Sequence, residues 1–336
     1  MNGRCKCLAI PGVLLLATAA RGDSWKNLTE KDGLPGNEVQ FIKEAPAGTV
    51  WIGTLGGLAR YDRSGVHATP IEGEAYDVLP ASGGAVYVGT GGGLVRMKGD
   101  ETQKSLGGNM VAPLVRFSKS TILTLSKSRA TEVSTLLAST GDEFKPVELL
   151  AGQHVTDITR TPDGKVWVSV DGRGVHVFDP AADLEKAAGH LDRQNVTTVF
   201  QDSKGRVWCG LWGRGLAVYQ DELWKYHLED QRVYPFAIRE GAGGTIWVAT
   251  DQAGLWKYDG SEWTNEFREE GAVNLLEVTG DGRVWISTQA TGGLRYFDGK
   301  TWKTSLPGPL PIRCLLKTTR GEILAGGVLD GLHVLK

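Results

Sequence analysis

One phrase recurs along this chain and leaves few folds open to it. It runs glycine, any residue, an aliphatic, tryptophan, an aliphatic and a small residue, then a short turn and Gly-Leu. The first copy is GTVWIGTLGGLARYD around Trp51; the others centre on Tyr87, Trp167, Trp208, Trp247, Trp285 and Leu324. These anchors are spaced 36, 80, 41, 39, 38 and 39 residues apart. The interval of 80 is twice the period, and STILTLSKSRATEVSTLL fills its middle with a degenerate copy anchored at Leu123. A fixed period of this length predicts one supersecondary unit repeated in a ring or a stack.

Each copy predicts four strands. VWIGT is β-branched and alternating, and GLARYD follows it across a tight glycine turn. An apolar run such as NEVQFIKEA precedes them, and a short segment with its own tryptophan, such as LWKYHL, follows. Four short antiparallel strands per unit of about 40 residues is the pattern of a β-propeller. A helical solenoid needs a 3.6-residue period, which is absent here. The expectation is an all-β, eight-bladed propeller of four-stranded antiparallel blades. Seven blades plus an irregular insert is the alternative, because the third copy is degenerate.

The chain ends sharpen this. Trp224, Trp263 and Trp302 mark the fourth strand at intervals of 39, and the next would fall beyond Lys336. The last blade therefore has three strands of its own. Trp25, in DSWKNLTEKDGLP, has the look of a fourth strand with no three before it. The N-terminal segment is expected to supply the missing outer strand and hide an open sheet edge. Cys209 and Cys314 then lie three blades apart, too far for Cα atoms that a disulfide needs within ~7 Å, and both should be buried free thiols.

Residues 1–20 read as a signal peptide. Arg4 and Lys6 give a positive start, Leu8 to Ala20 is uncharged and mostly apolar, and Ala17 and Ala19 give the small-x-small cleavage pattern. A buried N-terminal helix is the alternative, weakened by Pro11 and Gly12. The apolar run is short of the ~20 residues that span a bilayer, and no later stretch is longer. A single propeller domain is expected over 24–336, in a periplasmic or secreted protein. The formal net charge is −2 and no run of five like charges occurs, so no nucleic-acid partner is expected.

The phrases DGLPGNEV, GTVWIGT and GGLARYD resemble the two-component regulator propeller repeat. The likeness is best from Asp32 to Asp62 and returns from Gly205, Gly244 and Gly282 onward. Propellers of that family form the periplasmic sensor part of hybrid histidine kinases and bind carbohydrate-derived ligands. The resemblance thus implies a sensory or ligand-binding role. The chain ends on its last blade, so that expectation reaches the sensory portion only.

The repeated Trp, Gly-Thr and Gly-Leu residues are structural, so function is expected in the loops that vary. In a propeller the turn between strands two and three and the link between blades share one rim. The turns place Asp171, Arg173, Trp212, Arg214, Asp251, Gln252, Gln289 and Asp330 there. The links add Asn37, His154, Arg193, Asn195, Tyr234 and Asn274. Aromatic faces with planar amides, Arg and Asp suit a carbohydrate: rings stack on C–H faces and bidentate groups take hydroxyls. An ordinary solvated rim is the plain alternative. Trp212 falls outside the repeat's own tryptophan position, so it is either exposed at the mouth or tucked on a neighbouring blade.

Catalytic residues are not assigned. No His-x-His, HExxH or paired cysteines occur in the mature chain, so neither a metal nor a cofactor is expected. His176 and His333 fall in third strands, and Asp77 and Asp157 in inner strands, as packed or hydrogen-bonded residues. A non-catalytic ligand-binding or sensory propeller leads. A propeller lyase or hydrolase built on His154 and nearby acids, and a protein-interaction scaffold, are the alternatives.

Overall fold

A computed structural model describes residues 24–336 apart from 47, 141–142, 183, 232 and 269–270; the expected signal peptide lies outside the described residues. The chain forms eight sheets, each of four antiparallel strands. Blade one comprises Val39–Glu44, Val50–Thr54, Gly57–Asp62 and Gly65–Glu72. The degenerate third copy is a complete blade: Met110–Arg116, Ile122–Lys127, Ser134–Thr140 and Glu143–Pro146. This removes the seven-bladed alternative. Its second strand, ILTLSK, has no tryptophan but still buries Leu123 and Leu125, and that suffices to hold a sheet face.

Blade eight comprises Ile312–Lys317, Ile323–Gly327 and Leu332–Leu335, and Trp25–Leu28 is its outer strand. Trp25 pairs opposite Leu335 and Leu28 opposite Leu332. The expected closure is therefore observed, and it covers an edge that would otherwise recruit another strand.

First strands of successive blades touch in a closed circuit, so they surround the central channel. Each anchor side chain packs against the next blade. Trp167 sits with Val196, Val199 and Val207 of blade five, Trp208 with Ile238 and Ile246 of blade six, and Trp247 with Leu276 and Val284 of blade seven. Leu123 and Leu324 take the same role at their junctions. Removing an aromatic side chain of this size from water stabilises by roughly 4–6 kcal/mol on area alone, which explains why the tryptophan recurs.

Side chains near the end of a first strand also tie neighbouring blades on the face opposite the mouth. Asp163 N donates to Gln201 Oε1 at 3.0 Å, Ser203 N to Glu240 Oε2 at 2.7 Å, and Thr319 N to Glu44 Oε2 at 2.8 Å. Cys209 and Cys314 are both free; burial pushes the Cys314 thiol up to about 12, and the Cys209 thiol is also raised by burial.

Candidate functional site

The rim is assembled by a backbone bond that recurs around the ring. The first residue of the turn between strands two and three donates its N–H to the carbonyl of the link that enters the same blade. The pairs include Leu55 with Glu38 at 3.1 Å, Asp171 with His154 at 2.9 Å, Trp212 with Asn195 at 2.9 Å, Asp251 with Tyr234 at 3.1 Å and Gln289 with Ala272 at 3.0 Å. Turns and links that are distant in sequence thus form one mouth.

Blades four to six hold a continuous arc of the predicted residues. Asn195 Oδ1 accepts the N–H of Gly172 at 2.5 Å, which fixes the turn bearing Asp171 and Arg173 against the link bearing Arg193. Arg214 Nη1 donates to Gln194 Oε1 at 3.2 Å, which adds the next turn. Gly215, at φ +74, supplies the left-handed backbone that ends this turn. Trp212 is 58% exposed, which decides between its two expected placements: it stands at the mouth. Its ring meets Tyr234 edge to face, with centroids 5.1 Å apart and planes at 76°. Tyr234 is held in turn by its carbonyl bond to Asp251, beside Gln252.

Three carboxylates and three guanidiniums are interspersed along this arc: Asp171, Arg173, Asp192, Arg193, Arg214 and Asp251. The side chains of Asp171, Arg173, Arg193 and Asp251 make no hydrogen bond or ion pair with the described residues, so they are free for a ligand. Charges of both signs around an aromatic pair suit a neutral, hydroxyl-rich ligand better than an ion.

The remaining predicted residues are placed differently. His154 borders the arc through its bond to Asp171 and has no carboxylate partner among the described residues. Gln289 lies one blade beyond. Asn274 is not in a link: it is the second residue of the strand Val273–Val278 and occupies a bulge there. Asn37 and Asp330 lie at the junction of blades eight and one, and both are committed within the fold. Asn37 Oδ1 accepts from Glu30 N at 3.0 Å, and Asp330 Oδ2 bridges to His333 Nε2 at 3.0 Å. In blade one Thr54 Oγ1 closes the equivalent turn onto Gly57 O; blade eight has Gly327 there, and the Asp330 carboxylate fills the space.

Sequence reasoning missed a second ring of residues. Every first strand shifts register near its start, leaving one or two residues without a partner. Bulges of this kind re-aim side chains. They present Gln40, Tyr76, Thr156, Thr197, Phe236, Asn274 and Arg313. Phe236, 38% exposed, adds an aromatic side chain two residues beyond Tyr234. The signal was a phenylalanine at a position where most other copies carry a polar residue. On blades one to three, Arg129 Nη2 bonds Glu74 Oε2 at 3.1 Å and Gly91 O at 2.8 Å; burial and then the Glu74 carboxylate raise the Tyr76 phenol above its ordinary value.

The inner-strand acids are engaged as expected. Asp77 accepts from Lys43 Nζ at 3.0 Å and Leu114 N at 2.7 Å. Asp157 accepts from Thr159 Oγ1 at 3.2 Å, and burial raises its carboxyl above the usual range. Among the described residues no group of three His, Cys, Asp or Glu side chains is placed to hold a metal ion.

Fold and site together define an eight-bladed propeller with an aromatic, mixed-charge mouth. It is similar to the extracellular domain of the putative hybrid two component system BT3049 from B. thetaiotaomicron, with 16% identity and a TM-score of 0.60 over 94% of this chain and 42% of that one. It is also similar to virginiamycin B lyase from Staphylococcus aureus, with 11% identity and a TM-score of 0.56 over 93% of this chain and 98% of that one. The Dos1 propeller matches with 10% identity and a TM-score of 0.67 over 94% of each chain. The chain spans about two fifths of the two-component extracellular domains it matches. No family model and no curated protein matches it in sequence.

Proposed function

We propose that this chain is an exported, non-catalytic propeller that binds a neutral carbohydrate at the mouth of blades four to six. The observation that carries this reading is Trp212, exposed and braced edge-on by Tyr234 on the arc of turns and links that also bears unpaired Arg and Asp side chains. The indole face stacks on a sugar ring, and Arg173, Arg193, Asp171 and Asp251 take its hydroxyls. Two things support export: the predicted signal peptide, and similarity to extracellular two-component domains. No helix among the described residues is long and apolar enough to cross a membrane. By analogy with those domains the bound state is sensed.

A glycan array on residues 24–336 tests the reading. Binding to a defined set of neutral oligosaccharides, lost with Trp212→Ala, is the expected result. An array without a hit, or hits indifferent to Trp212→Ala, defeats it.

A further inference from the structure

We propose that the junction of blades one and two holds a second ligand pocket, distinct from the mouth, which takes the planar aromatic ring of a small molecule against Trp51. Five anchors are tryptophan, and four of them meet a tryptophan in the outer strand of the next blade. Trp208 meets Trp263 with ring centroids 6.2 Å apart, and Trp247 meets Trp302 at 5.9 Å. Trp167 shares a cluster with Trp224, and Trp285 with Trp25. All four anchors are at most 3% exposed.

Trp51 breaks the rule. Strand pairing sets Trp224 opposite Tyr219, Trp263 opposite Tyr258 and Trp302 opposite Phe297. The equivalent pair in blade two is Thr102 opposite Met97. The outer strand there reads ETQKS and carries no aromatic residue. Trp51 is accordingly half-buried, and a pocket of about 370 Å³ opens beside it. Arg60, His67 and Pro70 of blade one and Val86, Met97 and Asp100 of blade two line it. A second hollow of about 310 Å³, which includes Thr102, meets it at Pro70. These volumes are those of small-molecule sites.

The fold itself shows what fits, since an indole occupies this place at four equivalent junctions. The lining suits such a ring: Trp51 offers an aromatic face, Met97 a polarizable thioether and Arg60 a guanidinium for cation–π contact. None of the residues outside the described ones is aromatic, so no other part of this chain supplies the ring.

Indole is the probe, titrated into protein carrying ¹³C-methyl methionine. Met97 lines the pocket, whereas Met110 lies in blade three. The expected result is a saturable ring-current shift of the Met97 methyl with Met110 unmoved. A Met97 signal that stays put, or equal drift of both signals, overturns the proposal. Thr102→Trp installs the repeat's own residue, and should raise Tm and silence the Met97 response. A Met97 response undiminished in folded Thr102→Trp also overturns it; the wild-type titration decides alone if that variant does not fold.

Discussion

Trp25 Nε1 donates to the carbonyl of Ser305 at 3.1 Å, across a sequence separation of 280 residues. Strand pairing places Trp25 in blade eight, while Ser305 belongs to blade seven, so one indole fastens both the strand and the junction. Trp25→Ala should cost about 2–3 kcal/mol, less than a fully buried tryptophan because the side chain is only half-buried. Deleting the chain up to Asn27 should lower the stability of the whole ring. Urea denaturation followed by tryptophan fluorescence checks both, and an unchanged midpoint for the truncated protein speaks against closure by this strand.

Trp212→Ala should leave folding stability within about 0.5 kcal/mol, since the side chain stands in solvent. Sugar affinity should fall by about 2 kcal/mol, roughly thirtyfold, as for an aromatic hot spot. Calorimetric titration beside a thermal melt separates the two effects. A large loss of Tm would show Trp212 to be structural.

Asp202 is buried and accepts four hydrogen bonds: from Arg206 Nε at 2.6 Å, Trp208 Nε1 at 2.8 Å, Lys204 N at 3.0 Å and Arg206 N at 2.9 Å. Asp202→Ala leaves the anchor indole and a mostly buried guanidinium without their acceptor. The expected loss is about 3–5 kcal/mol in chemical denaturation. A loss below 1 kcal/mol would mean that water replaces the carboxylate at little cost.

His190 lies among Trp167, Tyr219 and Trp224, and His227 among Trp208, Tyr258 and Trp263. Burial lowers both imidazoles below their ordinary value; Arg206 adds to this at His227, whereas Asp192 opposes it at His190. The unfolded chain therefore takes up these protons first as pH falls. Their contribution to stability is complete above the unfolded pKa of about 6.5 and is lost below it, down through the folded values. Tm should drop from pH 7 to pH 5, and His190→Phe with His227→Phe should flatten that slope. The Asp259 carboxyl, held down to about 2 by the N–H groups of Glu262 and Ser261, belongs to a separate loss near pH 4 and below. An unaltered slope in the double variant refutes the assignment to these histidines.

The fold was legible because the repeat writes its core contacts in sequence: five anchors are named by their Gly-x-aliphatic-Trp setting, and even Leu123 kept the spacing. The arc around Trp212 was legible for the same reason, since departures from a repeat mark its loops. Asn37, Asp330 and Asn195 were harder. Whether an amide faces solvent or caps a neighbouring turn depends on a residue as remote as Gly172 is from Asn195, and the space that Asp330 fills depends on Gly327 standing where blade one has Thr54. The bulges that leave Asn274 and Phe236 unpaired were hidden too, because an unpaired residue in a strand looks like any other until its partner is known.

Blade eight draws its strands from two stretches far apart in the sequence, and this gives the molecule a clock. Seven blades are each assembled from consecutive residues and need only short-range closure. The strand Trp25–Leu28 is made long before its partner Leu332–Leu335. Until synthesis reaches that point its indole has nowhere to dock, and the ring stays open at one seam. Loop-closure entropy makes such a remote pairing slow. Completion of blade eight is thus the step that closes the ring.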